Sequence, residues 1–354
     1  DLDRSPSLCQ GTARLTSHGL RPFSQMRVVE KPGYTLCLSC LQSDGTFCDI
    51  SDEQAAEALH DEKRLIWLNV VVKDVEAARD LLQNQMGFHE LAVEDSLSDN
   101  ERPALQEFDS HLFVAGSKVM TTKGERESYT EIGLFLCKNG LVTVVREPIP
   151  LLDEWFRRFE KHPHPFDEAA PFLMHSILDH IVDEYFVAID VLEDEVDGLA
   201  DEIYQGDTSR ISDILILKKR LMEMRRHITP TRDILNGLLR HNSGLVPPAT
   251  KLYFQDIYDH TLRIAEIADV NRDTLTSLLD VHLSTVSNNL NNVMKKMTVI
   301  STVLMSAALI AGVYGMNFKE MPELNWWWGY PFAIILMVVS GLGILWLFRW
   351  KKWI

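Results

Sequence analysis

The stretch MTVISTVLMSAALIAGVYGMN, Met297 to Asn317, belongs to a run of 22 residues, Met297 to Phe318, that carries no charge. As a helix rising about 1.5 Å per residue, it covers the roughly 30 Å hydrocarbon core of a bilayer. A second uncharged run, Leu324 to Phe348, is 25 residues long, and only the five residues Lys319 to Glu323 separate the two. So short a link predicts a transmembrane hairpin. Lys295 and Lys296 precede the first span and Arg349, Lys351 and Lys352 follow the second, whereas the link holds only Lys319. This bias places both termini on the cytoplasmic side, and Trp326, Trp327, Trp328 and Tyr330 at one edge, with Trp350 and Trp353 at the other, read as interfacial belts.

Upstream of the first span no proline interrupts the chain between Pro248 and Pro322. Ala249 to Tyr314 can therefore form one helix about 100 Å long. Along it Leu275, Leu279, Leu283, Val286, Leu290, Val293, Met297, Ile300 and Leu304 recur at alternating spacings of three and four. That is a coiled-coil seam running into the bilayer, and it predicts self-association. Beside it lies a stripe that includes Asp273, Asp280, Asn291, Met294, Thr298, Ser301, Met305 and Gly312, acidic first and then small and weakly polar. Two adjacent stripes of unlike chemistry suit a ring of helices around a water-filled axis. A dimeric coiled coil with a polar flank is the alternative.

If the stripe lines a pore, its chemistry suits a hydrated divalent cation. Mg²⁺ prefers oxygen ligands and gives up its water reluctantly, so a conduit need not strip it. Carboxylates at Asp273 and Asp280 would concentrate cations, and Asn291, Thr298, Ser301 and the carbonyls near Gly312 and Gly315 would bond the ion's water. Met294 and Met305 supply apolar constrictions. No charge lies in the membrane part of the stripe, which keeps binding weak enough for release.

The rest of the chain is strongly acidic. From Lys295 onward there are six basic and two acidic residues, net +4, against −16 for all 354 residues, which leaves −20 on residues 1–294. That balance disfavours nucleic acid and suits cations. Residues 1–26 read as a poorly ordered segment; the chain opens on Asp1 with no apolar run nearby, so no signal peptide is predicted. Residues 27–147 read as an α/β domain. Strands are expected at Thr35–Leu41, Leu65–Val71, Leu112–Met120, Ile132–Lys138 and Leu141–Val145, the last two joined at Lys138-Asn139-Gly140. Helices are expected at Asp52–Leu59, Asp74–Met86 and around Leu91.

Residues 148–246 read as an antiparallel pair, Ala169 to Gln205 and Arg210 to Arg240, joined near Gly206-Asp207. The first helix is very acidic, either as a solvated face or as a surface that attracts metal or the basic tail. The stalk and first span occupy 247–317, an extracytoplasmic loop 318–325, the second span 326–348 and the basic tail 349–354. Cys9, Cys37, Cys40, Cys48 and Cys137 are expected as reduced thiols, with a zinc or redox role for Cys37 and Cys40 the lesser reading.

Tyr314-Gly315-Met316-Asn317 at the end of the first span and Met321-Pro322-Glu323-Leu324 in the link resemble the CorA family of divalent-cation channels. So do Glu90-Leu91-Ala92-Val93-Glu94-Asp95 with Arg102-Pro103, and Tyr258-Asp259-His260 early in the long helix. The resemblance covers about residues 60 to 354. It implies a funnel-shaped homopentamer in the inner (plasma) membrane, an α/β cytoplasmic domain, a long helical stalk and two C-terminal transmembrane helices. It implies passage of Mg²⁺, with Co²⁺ and Ni²⁺ as further ions, and an entrance formed by Tyr314, Gly315, Met316 and Asn317, where Asn317 meets the hydrated ion. Regulatory Mg²⁺ sites between subunits map to Glu94, Asp95, Asp179 and Asp256. Gly315 is expected to take a backbone conformation that a Cβ disfavours. Many relatives carry proline after the methionine at 305; Ser306 here keeps that helical hydrogen bond.

Three rival readings remain. A membrane-bound enzyme could use His175, Asp179, His180 and Asp183, although no nucleophile triad or phosphate loop accompanies them. A zinc transporter or divalent-cation exporter of the same fold is the second; Met316 argues against the zinc form, and no residue encodes the direction of transport. A structural anchored coiled coil is the third.

Overall fold

The structure, a computed structural model, describes residues 27–42, 47–48, 50, 52–59, 64–98, 103–120, 127–149, 169–205, 209–240, 244–317, 321–322, 326–351 and 353. The expectations for residues 1–26, Cys9, Arg102, the Gly206-Asp207 joint, the link residues 318–320 and 323–325, and Lys352 lie outside the described residues. Chain contacts divide the protein into two compact units, Asp1–Tyr185 with His227–Leu262, and Phe186–Arg226 with Arg263–Ile354.

The first unit is built on an eight-stranded sheet of order β1-β2-β4-β8-β7-β6-β5, with β3 paired to β2 off that path. The strands are β1 (Arg27–Glu30), β2 (Tyr34–Gln42), β3 (Phe47–Cys48), β4 (Arg64–Val72), β5 (Ala104–Glu107), β6 (His111–Met120), β7 (Ser128–Cys137) and β8 (Gly140–Val145). Among the described strands, β4 and β8 run parallel and the other neighbours are antiparallel. The β7–β8 hairpin closes with Cys137 opposite Gly140, leaving Lys138 and Asn139 as its two-residue turn. The central strands are buried on both faces, which explains their continuous apolar runs.

On one face of the sheet, alternate residues such as Leu36, Leu68, Phe113, Phe135 and Val144 form a core with α1 (Asp52–Ala58), α2 (Val75–Arg79) and α3 (Glu90–Leu97). Asp74 caps α2 by accepting from the Ala77 amide at 3.0 Å. That helix widens into a π-helical turn, Asp80–Gln85, and Gly87 at φ +75° redirects the chain into α3.

Three long helices follow: α4 (Ala169–Tyr204), α5 (Ile211–Arg240) and α6 (Pro248–Tyr314). The parts of α4 and α5 in the first unit meet the sheet directly. The buried Tyr185 hydroxyl donates to the Ser117 carbonyl of β6 at 2.9 Å, and Tyr129 of β7 stacks on His227 of α5 at 4.0 Å. Lys118, also on β6, is buried and holds Glu184 of α4 at 3.0 Å.

In the second unit, the rest of the acidic α4 is partly paired. Arg220 of α5 forks onto Glu195, and Arg210 reaches Glu202 at 2.8 Å. Asp190, Asp194, Asp197 and Asp201 stay exposed, which fits a solvated face for that part of the helix. Arg225 pairs with Asp269 of α6. The unit ends in α7 (Gly329–Trp350), whose Gly341 lies beside Val303 of α6.

Only 6% and 11% of the most apolar windows of α6 and α7 are buried. Core helices of a soluble domain would be mostly buried, and neither helix lies near the start of the chain, so both fit membrane spans. Cys37 and Cys137 are buried thiols, the latter pushed up to about 12 by burial. Cys40 departs from expectation: it is disulfide-bonded, and the β2–β3 register sets it opposite Cys48.

Candidate functional site

The residues expected to line a cation path all lie on α6 or at its end. From Leu283 onward most of the apolar seam is uncovered: Leu283, Leu290, Val293, Met297, Ile300 and Leu304 are each more than half exposed, whereas Leu275 is buried. The polar stripe is equally open, with Asp273, Asp280, Asn291, Met294, Thr298, Ser301, Met305 and Gly312 all exposed. Two contiguous open stripes of different chemistry thus run side by side along this one helix.

Three details refine the expected roles. Asp273 is bound at 2.9 Å by Arg272 of its own chain, so its charge is partly answered before any cation arrives. The Thr298 hydroxyl donates to the Met294 carbonyl at 2.9 Å, leaving its oxygen lone pairs to receive hydrogen bonds from an ion's water. Ser306 donates to the Val303 carbonyl at 2.8 Å within an unbroken helix, so no kink of the kind a proline would bring is present there. Asn291, Met294 and Thr298 also line a cavity of about 560 Å³ with Asn288, Asn292, Lys295 and Trp353.

At the far end, the Gly315 amide still bonds the Ala311 carbonyl at 2.9 Å, the Met316 amide bonds that of Val313 at 3.3 Å, and Asn317 leaves the helix exposed. The expectation for Gly315 changes. It does not adopt the left-handed region; a Cβ there would instead sit 3.2 Å from the Ala311 carbonyl oxygen, a crowding that comes from the tight end of the helix.

The four positions expected to hold regulatory Mg²⁺ separate, within the single chain, into two places. Glu94 and Asp95 lie on α3, where the Gln106 side-chain amide donates to Asp95 at 2.5 Å. Asp179 on α4 instead gathers with Asp183 and with His260 of α6, their ligand atoms all within 4.8 Å of one another. Burial raises the Asp179 carboxyl above the usual range, Asp183 and then Asp256 add like-charge repulsion, and His260 and His180 oppose it. Asp256 is thus close enough to act on Asp179, but Glu94 and Asp95 are not in this cluster.

The enzyme-like set is not assembled either. His180 bonds Glu184 at 3.2 Å, and His175 sits among Phe172, Tyr253 and Phe254. Asp183 was visible in the sequence as the residue one turn from Asp179. His260 was visible only as part of Tyr258-Asp259-His260, since nothing local joins it to α4. Two carboxylates and an imidazole accept a hard cation through oxygen and a transition ion such as Co²⁺ through nitrogen as well. The residues present therefore fit a divalent ion.

An α/β domain followed by a 67-residue helix with an apolar C-terminal stretch, and then by a second apolar helix, fits an integral membrane protein with a large portion outside the bilayer. The family described as CorA-like Mg2+ transporter protein matches residues 62–352. The chain is 33% identical over 307 residues to the cobalt/magnesium transport protein CorA of Thermotoga maritima, covering 86% of this chain and 88% of that one. It is 28% identical over 310 residues to the protein so named from Methanocaldococcus jannaschii, covering 86% and 96%. The complete structure of the Methanocaldococcus jannaschii CorA magnesium transporter superposes with a TM-score of 0.77 at 24% identity, over 92% of this chain and 100% of that one, which shows the fold. The chain belongs to the CorA family.

Proposed function

We propose that this chain is the subunit of a channel that carries Mg²⁺ across the plasma membrane, with Co²⁺ as a further cargo and both termini cytoplasmic. Family membership supports transport rather than enzymatic chemistry, and the relatives above carry cobalt and magnesium transport in their names. The observation that carries the channel reading is the pair of open stripes on α6. Burying the apolar seam against a neighbouring copy turns the polar stripe toward a common axis, and a homopentamer is the ring we assign.

In that ring, Asp280 and the partly answered Asp273 draw cations toward the axis, Asn291, Thr298 and Ser301 hold the ion's water, and Met294 and Met305 narrow the path. Tyr314, Gly315, Met316 and Asn317 form the opposite entrance, where the Asn317 amide touches the hydration shell. Mg²⁺ itself regulates the channel through Asp179 and Asp256, joined by Asp183 and His260, and through Glu94 and Asp95. Ion binding relieves the like-charge repulsion that adds to burial in raising the Asp179 carboxyl, and favours a closed ring; loss of the ion shifts the population toward conducting states.

The entrance supplies the test. Asn317→Ala should abolish flux while the oligomer stays assembled, and normal flux through that variant would remove Asn317 from the path.

A further inference from the structure

The helix that carries Glu94 and Asp95 begins on an unusual cap. His89 precedes α3 with extended backbone, φ −64° and ψ 138°, and its Nδ1 accepts from the Leu91 amide at 3.2 Å. Helix N-caps are ordinarily oxygen acceptors, from Ser, Thr, Asp or Asn. An imidazole nitrogen accepts only while it carries no proton, so this bond requires the neutral tautomer with the proton on Nε2. The Val93 amide also bonds the His89 carbonyl, at 3.0 Å. The first turn of α3, one turn before the two carboxylates, is anchored on this residue twice.

The ring is held in place by a column of aromatic rings. His89 stacks on Phe108 at 4.4 Å with 20° between planes, and Phe108 stacks on His111 at 4.9 Å. His111 lies 4.9 Å from Phe88 and 5.8 Å from Phe135, is 1% exposed, and its Nδ1 is 2.9 Å from the Ser110 hydroxyl. The titratable group facing His89 from the packed elements is His111 of β6, behind which the Cys137 thiol is the register partner on β7. Glu90, next in the chain, and Asp109, in the β5–β6 turn, are exposed. Burial, and then the neighbouring His89, hold His111 neutral down to about 4. His111 is thus kept out of the range in which imidazoles ordinarily change charge, about pH 5 to 8, whereas His89, at the outer end of the column, is exposed.

We propose that His89 is a positioning residue for Glu94 and Asp95 and makes their segment sensitive to protons. A proton on Nδ1 removes the acceptor of the Leu91 amide and sets a positive charge against the positive end of the helix. The first turn of α3 then loosens, and the two carboxylates lose the fixed spacing with which they meet a divalent ion. The consequence for the ion rests on the regulatory reading of Glu94 and Asp95; the cap itself does not. A proton at the cap thus loosens Mg²⁺ control without reaching the carboxylates themselves.

The test uses the full chain in detergent, with His89→Asn, which keeps a non-titrating cap acceptor, and His89→Phe, which keeps the stack on Phe108 and loses the cap. Hydrogen exchange over residues 86–98, corrected for intrinsic rates, is followed from pH 7.5 to 5.5. The parent should lose about fivefold more protection than His89→Asn, the factor that corresponds to a typical cap of about 1 kcal/mol. His89→Phe should be poorly protected at both pH values. Equal losses in the parent and His89→Asn, or full protection of His89→Phe at pH 7.5, overturn the cap. In parallel, the Mg²⁺ concentration that half-protects the chain from protease should rise on acidification in the parent and stay put in His89→Asn. A parent whose exchange responds to pH but whose protease pattern ignores Mg²⁺ at both pH values overturns the metal link and the regulatory reading, while leaving the cap standing.

Discussion

His111 gives the sharpest prediction about how the α/β unit responds to acid. Its ring is buried against Phe88, Phe108 and Phe135, and its protonation is depressed from an ordinary 6.5 to about 4. The sign follows from which state binds the proton. Below pH 6.5 the unfolded chain takes up a proton that the folded chain refuses, so folding stability is fully present above that value and drains away as pH falls toward 4. At about 1.36 kcal/mol per unit, acidification from 7.5 to 4.5 removes roughly 2 to 3 kcal/mol through this one ring. For a unit of this size each kcal/mol moves the melting temperature by roughly 2 to 4 °C, so the expected contribution is about 5 to 10 °C. The assay is thermal unfolding of the full chain in detergent across that range, set beside His111→Phe, which fills the same aromatic site without titrating. The melting temperature of the parent should fall below that of the variant by that margin as pH drops. Parallel curves for the two proteins would refute the reasoning.

Two further substitutions probe the assembly and its control. Leu290→Asp places a charge on a seam residue that is 62% exposed in the single chain and lies before Lys295, where water still drives apolar burial; it should shift the oligomer toward monomers in cross-linking or sedimentation, and an unchanged assembly would take Leu290 off the interface. Asp256→Ala removes one of the like charges acting on Asp179 and should leave a protein that conducts at internal Mg²⁺ levels silencing the parent, with Mg²⁺ no longer protecting α6 from protease; retention of both responses would place regulation elsewhere.

Most of the architecture could be read from the residues because period and punctuation agree. The apolar runs of β2, β4, β6 and β8, the Lys138-Asn139 turn and the proline-free stretch after Pro248 lie close to where their patterns place them. What escaped were elements with little pattern of their own. β1 and β5 have four residues each and β3 has two, too short for alternation to register, and they are specified by the strands they pair with. The π-helical turn at Asp80–Gln85 reads as ordinary helix because its apolar face continues.

The site divides in the same way. The two stripes of α6 are local in sequence and were legible, as was Asp179 with Asp183 one turn on. The approach of His260 to that pair depends on how α4 and α6 meet in the first unit, which no spacing along the chain encodes. The cap at His89 was missed for a chemical reason. Histidine is not among the usual N-caps, and the acceptor is apparent only when its ring is seen fixed against Phe108.

The central claim, that this chain forms a path for hydrated divalent cations, is tested most directly by reconstituting the full protein into liposomes that enclose a Mg²⁺-sensitive dye and imposing an inward Mg²⁺ gradient with low Mg²⁺ inside. The account predicts rapid dye response to Mg²⁺, competition by Co²⁺ and no response with Asn317→Ala. Liposomes holding assembled protein that admit neither Mg²⁺ nor Co²⁺ faster than empty vesicles would contradict it.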